Sequence, residues 1–169
     1  TEVRRQRQMC IRDRFMPTVL EDVMFGPKNF GFSNEEAENN AINALKKVKM
    51  DNFIDKPPHH LSFGQKRKVA IASVLASEPE LLVLDEPSSN LDPASRRELI
   101  EILKSLEISL ILVTHDLPMA LEICDRSIIL NNGEITTDMK TYEILKDKKI
   151  MEENRLELPY GFALHHLEE

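Results

Sequence analysis

The stretch Leu81-Leu82-Val83-Leu84-Asp85-Glu86-Pro87 sets an unbroken apolar run directly against two acids and a proline. A short apolar run without alternation reads as a strand buried on both faces, the habit of parallel sheets. Carboxylates just past the carboxyl end of such a strand stand where α/β sheets place their ligands. Asp85 is suited to hold Mg²⁺, through water, and Glu86 to orient or deprotonate a water aimed at a phosphate. The plainer reading of the same residues is a strand ending in capping acids.

Downstream, Asp92-Pro93 is an N-cap followed by proline at the first helical position, and Leu99, Ile102, Leu103 and Leu106 make one apolar stripe. A second buried strand is expected over Leu110 to Val113, closed by Thr114-His115-Asp116. If the two strands are parallel neighbours, His115 comes beside Glu86, where an imidazole can contact a γ-phosphate and hold the attacking water. Asp116 reads as the cap of a short helix with Pro118 in its first turn. A third strand over Ser127 to Leu130 runs into Asn131-Asn132-Gly133, a hairpin signal leading to Glu134-Ile135-Thr136. Strand, helix, strand, helix, strand is the rhythm of a parallel α/β sheet. Beyond Met139 the pattern is that of one or two amphipathic surface helices.

Upstream, the chain reads as helical. Ser33 to Glu36 form a capping box, and Ala37, Ala41, Leu45 and Val48 continue at helical spacing to Met50. Leu61-Ser62-Phe63-Gly64-Gln65 opens another helix that runs to Ser77, before Glu78-Pro79. Ser62 as cap, Gly64 permitting close backbone approach and the unpaired amides of a helix start make an anion site, strengthened by Lys66, Arg67 and Lys68. Standing alone, this segment reads as a plain capped helix. Phe15 to Phe32 reads as loop-like around a short helical stretch, Val19 to Met24, because Pro17, Gly26, Pro27 and Gly31 punctuate it. Half of the arginines lie between Arg4 and Arg14 without periodicity, and this segment reads as a non-native or disordered arm.

Composition narrows the class. The chain has 169 residues, is 41% hydrophobic and 30% charged, and carries a formal charge of −7. These are values of a globular domain, and the acidic balance argues against a protein that tracks a nucleic-acid backbone. No apolar run approaches the roughly 20 residues that cross a bilayer, so work at a membrane would go through a partner. Cys10 and Cys124 form no motif and read as reduced thiols. His59-His60 and His165-His166 lack a third ligand nearby and read as loop residues.

The segments together resemble the ATP-binding-cassette family. Leu61 to Gln65 is similar to its signature sequence, Leu81 to Pro87 to its Walker B strand with the catalytic glutamate, Ser89-Asn90-Leu91-Asp92 to its D-loop, and His115 to its switch histidine. Their order and separations match, about 20 residues from signature to Walker B and about 30 from there to the histidine. The resemblance spans Phe15 to about Leu158. It implies a partial P-loop NTPase fold of α/β class, a parallel sheet flanked by helices plus a helical subdomain. It further implies two subunits packed head to tail around ATP and Mg²⁺. Ser62, Gly64 and Gln65 of one would touch the γ-phosphate bound mainly by the other. Asp85, Glu86 and His115 would act on the subunit's own nucleotide, and Asp92 would link the two sites.

Phe15 to Val23 with Phe25-Gly26-Pro27, and Pro57-Pro58-His59-His60, resemble one branch, the ATPases of energy-coupling-factor importers, including the cobalt and nickel type. That branch implies a peripheral subunit on the cytoplasmic face of the cell membrane, paired with a second ATPase subunit and a transmembrane coupling subunit, importing a transition metal or vitamin. Two departures stand out. No GxxxxGK[ST] string occurs in these residues, and a glycine of the usual signature is replaced by Phe63. The expectation is an amino-terminally truncated ATPase, inactive by itself and exposing an apolar sheet edge. Its parts would be an arm (1–14), a signature subdomain (15–78), the second half of the ATPase core (79–138) and a helical tail (139–169). The competing readings are an ABC-type ATPase acting on nucleic acid or ribosomes, and a binding-only partner module.

Overall fold

A computed structural model describes residues 16–159 of the chain; the expected arm, Cys10 and His165-His166 lie outside the described residues. The described chain forms two compact units, divided after Val113.

In the first unit, three helices pack together: α1 (Val19–Asn29), α2 (Asn34–Lys47) and α3 (Phe63–Leu75). Helix α1 is longer than the sequence reading, because Gly26 and Pro27 do not stop it. Gly26 lies against α3, where an added Cβ would meet Ser77 Oγ at 3.1 Å and the Ser73 carbonyl at 3.2 Å. Pro27 is buried in the last turn, where one lost helical hydrogen bond is offset by packing. The first amides of α1 donate to the carbonyls of Lys56 and Ile54, both at 3.0 Å.

The capping box of α2 forms as expected, with the Ser33 and Glu36 side chains each accepting the other's backbone N–H. The helix ends before Met50, however. Lys49 takes the left-handed conformation (φ 57°), and the Met50 N–H donates to the Leu45 carbonyl at 2.8 Å. Together with the Lys49 N–H on the Lys46 carbonyl, this is a Schellman termination with lysine in the position that favours glycine. Helix α3 likewise stops at Leu75 rather than Ser77.

Strands β1 (Leu81–Asp85) and β2 (Ser109–Val113) pair in parallel, Val83 opposite Ile111 and Asp85 opposite Val113. Helix α4 (Pro93–Lys104) connects them and buries Leu99, Ile100, Ile102 and Leu103. The expectation of strands buried on both faces is corrected. Leu82 is fully buried, but Leu81, Val83, Ile111 and Val113, which share the opposite face, are 41–52% exposed. Among the described residues β1 and β2 pair only with each other, so the sheet presents an apolar face beside its apolar strand edges.

The second unit holds α5 (Leu117–Ile123), β3 (Arg126–Asn131), β4 (Glu134–Lys140), α6 (Thr141–Lys146) and α7 (Lys148–Glu153). The expected hairpin forms: β3 pairs with β4, antiparallel. Among the described residues the parallel pairing is that of β1 with β2, and the third strand of the α/β rhythm pairs in the hairpin instead. Asn132 and Gly133 both take positive φ, as the tight hairpin turn requires. The two helices expected in the tail are α6 and α7; Ile144, Leu145 and Met151 bury a small core against Leu117, Leu121 and Ile129.

Two outcomes follow from the packing of the first unit. Lys49→Gly relieves a left-handed lysine, and the denaturation midpoint should rise by an amount equivalent to about 0.5–1 kcal/mol; an unchanged or lower midpoint would contradict the strain. Leu82→Ala empties a fully buried strand position and should lower stability by about 2–5 kcal/mol in the same assay.

Candidate nucleotide site

Each acid at the end of β1 is set by backbone geometry. Asp85 is the last strand residue and is exposed. At Glu86 the chain turns sharply: φ is +46°, uncommon for a residue with a side chain, while its N–H still donates to the Val113 carbonyl at 2.8 Å. Such strain persists only where the surroundings enforce it. The chain then coils through two tight turns, Ser89 N–H to the Glu86 carbonyl and Leu91 N–H to the Ser88 carbonyl, both 3.2 Å. Within this loop the Ser89 hydroxyl donates to Glu86 Oε2 at 3.3 Å, which fixes one carboxylate oxygen.

Asp92 ends the loop and caps α4. Its Oδ1 accepts the N–H groups of Ala94 (3.1 Å) and Ser95 (3.0 Å), and its Oδ2 accepts the Ser95 hydroxyl at 2.6 Å. Those bonds, the Ser95 hydroxyl first, hold the Asp92 carboxyl below the usual aspartate range.

The start of α3 is a full capping box. Ser62 Oγ accepts the Gln65 N–H at 3.3 Å, and Gln65 Oε1 accepts the Ser62 N–H at 2.9 Å. The acceptor oxygens are thereby used inward, while the Ser62 O–H and the Gln65 amide nitrogen keep their donor capacity. The N–H groups of Phe63 and Gly64 open the helix and have no carbonyl one turn back within it. A cluster of donors at a helix start fits a phosphate.

Gly64 has a second reason to be glycine that the sequence reading missed. A Cβ there would meet Ser95 Oγ at 2.7 Å and Ser95 Cβ at 3.0 Å, with Leu91 Cδ2 at 3.8 Å. The helix start is pressed against α4 and the loop before it. Lys68 reinforces this contact through Glu98, at 2.8 Å. The expected cationic field is thus smaller than the sequence suggests: Lys68 is neutralised by Glu98, and Arg67 turns to the Ser89 carbonyl, its Nη2 at 3.5 Å. Ser62, Gly64, Gln65, Asp85, Glu86 and Asp92 therefore all belong to one unit, the start of α3 joined to the loop before α4 through Ser95.

His115 stands at the start of the second unit and is exposed. Its carbonyl accepts the Leu117 N–H at 3.1 Å, and Asp116 caps α5 by accepting the Met119 N–H at 3.1 Å, as expected. His59 and His60 form a T-shaped pair in a 3₁₀ turn, Pro58–His60, and no group of three metal-ligating side chains occurs among the described residues. Cys124 is free and half-buried; burial, with Asp125 beside it, pushes its thiol up. Among the described residues, no helix is long and apolar enough to cross a membrane.

The oxygen donors at the end of β1 suit a hard divalent cation such as Mg²⁺. Gly64→Ala should break the seat of α3 on Ser95, lowering the melting temperature and any nucleotide turnover together. An alanine variant as stable and active as the parent would contradict that close contact.

Comparison with known proteins gives relatives over most of the chain. A family model described as "AAA domain, putative AbiEii toxin, Type IV TA system" matches residues 23–122. A "Putative ABC transporter ATP-binding protein" of Streptomyces avermitilis is 60% identical over 88% of this chain and 56% of its own length. The energy-coupling factor transporter ATP-binding protein EcfA of Methanosphaera stadtmanae is 42% identical over 86% of this chain and 54% of its own length. Among solved structures, cbiO1 from Clostridium perfringens, part of the ABC transporter complex cbiONQ, superposes with a TM-score of 0.72 at 36% identity, covering 87% of this chain and 60% of that one. The chain thus spans little more than half the length of these relatives. The chain belongs to the AAA-domain family, and its homologues are ATP-binding proteins of ABC transporters.

Proposed function

We propose that this chain supplies the signature turn and the hydrolytic acids of an ATP-hydrolysing motor subunit of a membrane importer, of the energy-coupling-factor type that takes in a transition metal or vitamin. The left-handed Glu86, held at the end of a parallel strand pair with its carboxylate oriented by Ser89, carries this reading. The resemblance to EcfA and to cbiO1 supports the importer type.

In this reading Asp85 holds Mg²⁺ through water, and Mg²⁺, when bound, neutralises charge on the β- and γ-phosphates. Glu86 takes a proton from the attacking water as its oxygen bonds to the γ-phosphorus and the bond to the ADP oxygen breaks. His115 contacts the γ-phosphate and steadies that water. Ser62, Gly64 and Gln65 donate to the γ-phosphate of a second ATPase subunit, and Asp92 links the two sites. The exposed apolar face of Leu81, Val83, Ile111 and Val113 supports a further part of the whole protein packing there, and the phosphate-gripping loop belongs to that part. A transmembrane coupling subunit receives the work, at the cytoplasmic face of the membrane.

Glu86→Gln tests the reading in the full-length protein. It should lower the turnover of Mg-ATP by roughly 10² to 10⁴ while sparing ATP binding, because the amide keeps the shape but cannot accept the proton. Undiminished hydrolysis would remove Glu86 from the chemistry. Co-purification with a transmembrane subunit, rather than RNA or DNA, would support the transport assignment.

A further inference from the structure

Arg67 occupies a position that its own chemistry does not favour. It lies on α3, one turn after Phe63, with its guanidinium 5.6 Å from the centre of the Phe63 ring. Burial is the cause that lowers its pKa, and its Nε is buried with no hydrogen-bond partner among the described residues. A half-buried cation with an unsatisfied donor costs free energy, and such a group calls for an explanation. The explanation lies at its other end. Nη2 reaches the Ser89 carbonyl at 3.5 Å, and the hydroxyl of that same serine donates to Glu86 Oε2 at 3.3 Å. Ser89 is thus gripped on its backbone by α3 and grips the glutamate with its side chain.

We infer that Arg67 is a positioning residue for Glu86. It pins the backbone of Ser89 so that the serine hydroxyl holds the glutamate carboxylate in the direction of its water. The chain of contacts explains three otherwise separate observations. Glu86 keeps a strained backbone because the loop after it is held from behind. Phe63 provides an aromatic floor for the guanidinium, which a glycine at that place could not. Arg67 tolerates burial because its fork reaches across from one element to the next, which a neutral side chain of equal length would not do.

The inference rests on Glu86 acting in hydrolysis, and the test separates the two. In the full-length protein, Arg67→Met keeps the buried volume but loses the donor. It should lower kcat for Mg-ATP roughly 10-fold or more with KM for ATP little changed, since a displaced catalytic group costs rate and not ground-state binding. Arg67→Lys, whose ammonium can still reach the carbonyl, should recover part of that loss. Ser89→Ala should lower kcat similarly, and adding Arg67→Met to it should cost little more, because both act through one contact. The Ser89 variant keeps the inference testable should Arg67→Met fold poorly. If Glu86→Gln abolishes turnover but the Arg67 and Ser89 losses simply multiply, or kcat is unchanged, the positioning role is wrong and the hydrolytic reading stands. If Glu86→Gln leaves turnover intact, the underlying reading fails and the positioning role fails with it.

Discussion

One backbone hydrogen bond closes the parallel strand pair, from the Glu86 N–H to the Val113 carbonyl at 2.8 Å. It is made one residue past the last strand pairing, Asp85 with Val113, so the chain must stay in the sheet plane there. The next residue is a buried proline. Glu86 must therefore change direction within a single residue, and a left-handed backbone is how it does so. The loop that follows inherits its path from that turn and delivers Asp92 to the start of α4. Through Ser95 and Gly64, α4 in turn seats the start of α3.

The strain at Glu86 differs in kind from that at Lys49, Asn90 and Asn132. Lys49 terminates a helix, where a left-handed residue lets two N–H groups, its own and that of Met50, donate to the carbonyls of Lys46 and Leu45. Asn90 and Asn132 have side chains that tolerate this region, and Asn132 sits in a two-residue hairpin turn. Glu86 ends a strand rather than a helix and is not an asparagine, and the conformation costs it about 1–3 kcal/mol. What the turn achieves is to bring the carboxylate to the Ser89 hydroxyl at the end of the sheet.

Features set by neighbours in sequence could be read from the residues. The two capping boxes, Ser33 with Glu36 and Ser62 with Gln65, form because a helix start exposes the same donors wherever it occurs. Asp92-Pro93 and Asn132-Gly133 likewise specify their own backbone. Features set by distant neighbours could not be read. Uniform apolarity in Leu81 to Leu84 is compatible with burial on one face or two, and only the packing partner decides. The hairpin signal at Asn131 to Gly133 marks the antiparallel neighbour of the third strand, whereas the strand-helix-strand rhythm before it carries no mark of which sheet that strand joins. Gly26 and Pro27 look like breakers until α3 is seen against them. Arg67 looked like one cation among three; only its position behind Ser89 distinguishes it.

The central claim is that the α3 start and the β1 acids serve two different nucleotides. The most direct measurement is a structure of the full-length Glu86→Gln protein with Mg-ATP. The account predicts Ser62 and Gln65 of one copy within hydrogen-bond distance of a γ-phosphate whose Mg²⁺ is held near Asp85 of the other. A nucleotide bound beside Asp85 with no α3 turn from another subunit at its γ-phosphate would contradict it.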